Sequence, residues 1–140
     1  MQDTFGLKDD ALLKASGALT GGIGGLNDTC GSMIGATLML GSVCGLGRQD
    51  LPGGRGKLWA SVVKAADFYK WFKKEKGTVN CREIITKHGN GVFYDYSDPE
   101  QSLAADEAGV TEKCIQLVEN NAGRAAGIIW DELHGEGKKG

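Results

Sequence analysis

The residues of this chain with the most distinctive chemistry are its four cysteines, Cys30, Cys44, Cys81 and Cys114, separated by 13, 36 and 32 intervening residues. No pair forms C-x-x-C, so the closely spaced ligand pairs of zinc ribbons and fingers are absent, as is the C-x-x-C-H attachment of c-type haem. Spacing alone is compatible with buried core thiols. Placement on the predicted helices separates the four. Cys30 falls second in its helix, Cys81 first, and Cys114 third if Thr111 is the cap, although a start near Ser102 would put Cys114 in mid-helix. Free backbone N–H groups and the positive end of the helix dipole favour the thiolate, the form that reacts, oxidises or binds metal. Cys44 falls at a helix C-terminus, where the field opposes thiolate. Cys30, Cys81 and Cys114 are therefore the predicted redox or metal site, with Cys44 left out.

The elements that must position them read as all-α. A short helix is expected over Asp10 to Ala18, with Leu12, Leu13 and Leu19 as its apolar face, ended by Gly21, Gly22, Gly24 and Gly25. Asn27 or Asp28 then caps a central buried helix running to about Cys44, stopped by Gly45 and Gly47. Gly31 and Gly35, and Gly41 and Gly45, are each four apart, which predicts flat patches where another helix can approach. Leu58, Val62, Ala66, Tyr69 and Phe72 recur at helical spacing up to Gly77. Asn80 caps a short helix from Cys81 to about Lys87, with Glu83 completing a capping box. Gly89 to Pro99 reads as irregular, with Val92, Phe93, Tyr94 and Tyr96 draped over the core. The last helix starts between Ser102 and Thr111 and runs to about Leu133, with Val110, Cys114, Leu117, Val118, Ala125, Ile128 and Ile129 inward. The expectation is a compact single-domain bundle of about five helices over residues 1–134, with a glycine-rich turn before the central helix and a loose tail at 135–140.

Composition narrows the function classes. The chain has 140 residues, 23 of them glycine, and a formal net charge of −2, which offers no general field for nucleic acid or anionic membrane. Thr29 to Gly47 is uncharged for nineteen residues, long enough to span a bilayer, but seven of its interior positions (Gly31, Ser32, Gly35, Thr37, Gly41, Ser42 and Gly45) are glycine, serine or threonine and no aromatic or basic anchors flank it. A buried helix is the expected reading. Met1 to Asp10 holds three aspartates and shows no signal peptide, which points to the cytoplasm.

Other motifs carry less. Gly22-Ile23-Gly24-Gly25-Leu26-Asn27 lacks the third glycine of a dinucleotide fingerprint, and Gly56-Lys57 lacks both the upstream glycine and the following Ser or Thr of a phosphate loop. A tight turn is the expected role of the glycine segment, with a part in holding a cofactor as the alternative. His88, one heptad after Cys81, reads as a surface residue at a helix end, with a ligand or proton relay as the alternative. His134 reads as solvated. Lys70, Lys73, Lys74 and Lys76 form a solvated face that could dock an acidic redox partner.

Gly21-Gly22-Ile23-Gly24, Cys30-Gly31-Ser32-Met33-Ile34-Gly35-Ala36, Asn80-Cys81-Arg82-Glu83-Ile84 and Cys114 together resemble the C_GCAxxG_C_C family of redox-active proteins, in order and separation from about Phe5 to Ala126. The family's central motif reads C-G-A-x-x-G, so Ser32 stands where alanine is usual. Family members also carry a cysteine on an earlier helix, and nothing between Met1 and Thr29 replaces it; Met1 to Asp10 resembles the end of that helix and its turn. The family is similar in turn to the iron–sulfur part of split-Soret cytochromes, which hold a 2Fe-2S cluster and pair as dimers. The resemblance thus implies a 2Fe-2S cluster on Cys30, Cys81 and Cys114 and a homodimer, but no haem.

Three functions follow as expectations. The first is an electron-transfer protein whose fourth cluster ligand is missing, another residue or a partner's, acting with a redox partner protein rather than as a catalyst with its own substrate. The second is a metal-free thiol–disulfide protein. The third is a structural or protein-binding helical module with buried thiols.

Overall fold

The structure is a computed structural model that describes residues 1–135; the tail predicted from Gly135 lies, apart from Gly135 itself, outside them. Among the described residues are seven α-helices, one 3₁₀ turn at Arg48–Asp50, and no strand. The helices are α1 (Gln2–Phe5), α2 (Asp10–Gly17), α3 (Gly31–Cys44), α4 (Arg55–Lys76), α5 (Cys81–His88), α6 (Pro99–Glu107) and α7 (Val110–His134). The all-α expectation holds, with two helices more than the five expected.

One addition is the single turn α1, closed by Gly6 in the left-handed region. The other is α6. Asp98 accepts hydrogen bonds from the amides of Glu100 and Gln101, and Pro99 occupies the first helical position. Gly109, at φ 71°, then separates α6 from α7, so the last helix starts at Val110, inside the expected window, with α6 as an unexpected helix before it.

The central helix is α3, packed between α4 and α7. Phe68 and Phe72 of α4 and Leu117, Ala125 and Ile129 of α7 close on its Met33, Ala36, Met39 and Leu40. It is not buried all round, since Gly41 and Ser42 face solvent. Of its glycines, Gly31 meets the carbonyl of Leu19, whose oxygen lies 2.5 Å from where a Cβ would sit, whereas Gly35 and Gly41 have nothing within 4 Å. The close approach is therefore to a turn, not to another helix.

The buried face of α4 differs from the expected one. Phe68 and Phe72 are buried, with Ser61, Ala65 and Trp71 partly covered beside them, while Leu58, Val62 and Tyr69 are exposed. Leu13 on α2 and Val118 on α7 are likewise exposed rather than inward. A second, smaller core of Cys81, Ile85, Ala105 and Val110 joins α5, α6 and α7, and Phe93, Tyr94 and Tyr96 cover it as expected. No helix among the described residues is long and apolar enough to cross a membrane.

Candidate functional site

Cys30 and Cys81 are brought together by backbone pairing. An isolated antiparallel bridge joins Thr29 to Asn80. Around it the amide of Cys30 donates to the carbonyl of Val79 at 2.8 Å, and the amide of Cys81 donates to the carbonyl of Asp28. Cys30 thereby becomes the N-cap of α3 rather than its second residue, while Cys81 is the first residue of α5 as predicted. The N-termini of two helices lie side by side.

The glycine-rich segment frames this pair. Gly21, Gly22, Ile23, Gly24 and Gly25 all have φ between 60° and 79°, a left-handed turn that glycine adopts readily and a β-branched residue such as Ile23 does not. At Gly22 the requirement is twofold, because a Cβ there would stand 2.8 Å from the Cβ of Cys81 and 2.8 Å from the amide of Asp28. Buried Asn27 ends the turn, its Nδ2 donating to Gly25 O at 3.0 Å and Asp95 Oδ1 at 2.8 Å. Its carbonyl accepts from the amide of Arg82 at 2.9 Å. The orphan amides of the first turn of α5 are thus satisfied by Asp28, Asn27 and the Asn80 side chain. They are not left to hydrogen-bond sulfur, as the helix-terminus reasoning expected for Cys81.

Cys114 comes from the second turn of α7, fifth from its start, because Gly109 and not Thr111 is the cap. Its Sγ lies 3.4 Å from His88 Nδ1, at the end of α5. His88 is partly buried, so the surface reading for it is corrected; the carbonyl of His88 accepts from Lys113 Nζ at 2.6 Å. Burial, and then Lys113, Lys76 and Lys87, lower the pKa of His88 and keep the imidazole neutral near pH 7. Tyr96, whose hydroxyl pairs with Thr111 Oγ1 at 3.0 Å, also reaches Cys114. Cys44 stands at the far end of α3, roughly 20 Å from Cys30 by helical rise. His134 is exposed and stacks on Trp130, as expected of a solvated residue.

Cys30, Cys81 and Cys114 line one cavity of about 990 Å³ together with the glycine turn, Ser32 and Tyr96. No Lys, Arg or His among the described residues lines it. Burial, reinforced by Cys30 and Cys114 nearby, pushes the Cys81 thiol up to about 12. Burial and then Cys30 raise Cys114, against an opposing hydrogen bond from Tyr96. Desolvation and mutual repulsion therefore outweigh the helix-terminus field, which is worth only about 0.3–1 kcal/mol. None of the four cysteines is in a disulfide. Among the described residues no three His, Cys, Asp or Glu side chains are placed to hold a metal ion. What the cavity does carry is thiols, the ligand type that iron–sulfur clusters take, one each from the start of α3, the start of α5 and the second turn of α7.

Two polar residues beside the cysteines were not read from the sequence as site residues. Asn121 of α7 is buried, and its Nδ2 donates to Ser32 Oγ at 2.6 Å; Ser32 Oγ lies 3.3 Å from Cys30 Sγ. Asn121 occupies the apolar row of Leu117, Ala125 and Ile129, and an asparagine in such a row was the available signal.

No curated protein and no solved structure matches this chain. The sequence model of the family described as "Putative redox-active protein (C_GCAxxG_C_C)" matches residues 1–128, which takes in all three helix-borne thiols of the cavity. The chain belongs to that family.

Proposed function

We propose that this chain is an electron-transfer protein whose redox centre is a 2Fe-2S cluster held by the thiolates of Cys30, Cys81 and Cys114. The observation that carries the reading is their meeting on one cavity wall from α3, α5 and α7. When bound, such a cluster supplies one-electron chemistry and the positive charge that buried thiolates need. A 2Fe-2S cluster ordinarily takes four protein ligands, so a fourth donor completes the set. His88 is an indirect candidate for that place, because its ring contacts Cys114 but does not line the cavity. The protein's own part is to exclude water with the apolar wall and to orient Cys81 through the glycine turn.

Pairing between two copies, and docking of an acidic redox partner on Lys70, Lys73 and Lys74, belong to the same reading. These lysines are exposed along the end of α4.

The test is anaerobic purification or reconstitution, followed by a visible absorption spectrum with iron and acid-labile sulfide assays. The expected result is a coloured protein with equal iron and sulfide, lost in Cys81→Ser and kept in Cys44→Ser. A protein with intact helical circular dichroism and no iron or sulfide after reconstitution sinks the cluster. Cys30 and Cys81, each one residue past the Thr29–Asn80 bridge and both on the cavity, favour one second reading, a dithiol–disulfide couple. Under it, thiol counting shows two thiols lost on oxidation and regained on reduction.

A further inference from the structure

Hydroxyls on α3 have a common habit that Ser32 does not share. Thr37 donates to the carbonyl of Ile34 and Ser42 to that of Met39, each at 2.8 Å, three residues back along the helix. Ser32 sits in the first turn, where the residue three back is Thr29, outside the helix and part of the bridge. Its oxygen instead lies between Asn121 Nδ2 at 2.6 Å and Cys30 Sγ at 3.3 Å.

The direction of this chain follows from what each group can do. Asn121 is 1% exposed, and its Oδ1 has no partner. In this orientation one of the two amide N–H groups is paired with Ser32 Oγ, whereas turning the amide over would leave both of them buried without a partner. Asn121 therefore donates, Ser32 Oγ accepts, and the Ser32 hydroxyl hydrogen is left for Cys30 Sγ, on the cavity wall.

We infer that Ser32 and Asn121 are positioning residues that deliver a hydrogen bond to the sulfur of Cys30 and thereby raise the reduction potential of the redox centre. The inference rests on the reading of the cysteines given above. On one-electron reduction the centre gains negative charge, part of it on its sulfur ligands. A donor aimed at sulfur stabilises that reduced state more than the oxidised one. Removing the donor lowers the potential.

The experiment is a potentiometric titration with mediator dyes on the loaded protein, comparing wild type, Ser32→Ala, Ser32→Thr, Asn121→Leu and the double variant Ser32→Ala with Asn121→Leu. Alanine is the usual residue at this place in the motif that the chain resembles, so Ser32→Ala is compatible with the fold; far-UV circular dichroism checks each variant. Ser32→Ala is expected to shift the oxidised–reduced equilibrium about tenfold toward oxidised, a fall of about 59 mV for one electron. Ser32→Thr should restore the wild-type value. Asn121→Leu should shift it less, and the double variant no further than Ser32→Ala, because both act along one chain. In the metal-free protein, the Asn121 side-chain amide should give a slowly exchanging NMR signal that moves in Ser32→Ala. A wild type that titrates, with Ser32→Ala and Asn121→Leu both within twofold of it, overturns the relay and leaves the redox reading standing. A wild type with no reversible centre overturns the redox reading and the relay with it.

Discussion

In the reduced, metal-free protein, Cys81 should be a sluggish nucleophile. Its thiol is pushed from 9.0 up to about 12, first by burial and then by Cys30 and Cys114. At pH 8 that lowers the thiolate fraction about a thousandfold relative to an unperturbed thiol. A more basic thiolate is intrinsically more reactive, with a Brønsted slope of about 0.4–0.5, which returns roughly 15- to 30-fold. The net expectation is alkylation about 40-fold slower than for the same cysteine in the urea-unfolded chain, before any slowing from restricted access. The assay is iodoacetamide labelling under anaerobic conditions, with the Cys81 peptide quantified by mass spectrometry over time. The rate should climb close to tenfold per pH unit from 8 to 11 without levelling near 9. Stability carries the same signature. Between about 9 and 12 the folded chain keeps a proton that the unfolded chain releases, so this contribution is present below pH 9 and is lost as pH rises toward 12. If the helix terminus governed Cys81 instead, its pKa would fall and labelling would be at least as fast folded as unfolded; that result would refute the balance of forces argued for the site.

Two further substitutions isolate the frame from the chemistry. Gly22→Ala and Gly24→Ala both place a side chain at positive φ, 73° and 60°, but only the first meets atoms at 2.8 Å. The backbone term is about 1–2 kcal/mol in each, and the clash adds about 1–3 kcal/mol at Gly22 alone. Urea denaturation should therefore show Gly22→Ala less stable than Gly24→Ala by about 2 kcal/mol, and equal losses would show that the turn does not press on Cys81. For His88, the folded pKa lies below the ordinary 6.5 because of burial and three lysines. The unfolded chain therefore binds the proton first as pH falls; the stability is present above about 6.5 and is lost through the lower folded value. His88→Gln should flatten the denaturation midpoint between pH 7 and 5, and an unchanged slope would place His88 in solvent.

Local signals were legible because they act over a few residues. Gly77 ends α4 in the left-handed region, and Asn80 caps α5 through the amide of Glu83, both as the sequence implies. The stripe Leu58, Val62, Tyr69 had the right period but the wrong side, since period does not say whether large or small residues face the neighbour. The capping signal Asp98-Pro99-Glu100 is present in the chain, masked by the aromatic-rich stretch before it. The site itself depends on non-local pairing. Cys30 is an N-cap because residues 27–30 are engaged by residues 79–82, and His88 reaches Cys114 across 26 positions. Ser32 and Asn121 are 89 apart, a juxtaposition no local pattern encodes.

The abundance of glycine acquires a mechanical meaning from this geometry. For α5 to begin at Cys81 with its first amides satisfied, a chain segment must present the carbonyls of Asn27 and Asp28 to that helix end. It must also pass so near the cysteine that no Cβ can stand between them. A run at positive φ does both, and the fold accepts Ile23 in an unfavourable region and an unpartnered buried Asn27 Oδ1 to keep it. Cys30 and Cys81 are therefore positioned by backbone pairing. Changing a thiol to a hydroxyl at Cys81 leaves that frame in place and alters only the chemistry, whereas adding one methyl at Gly22 disturbs the frame and, through it, the chemistry. The glycine turn is thus part of the site, although none of its residues has a side chain that could take part in a reaction.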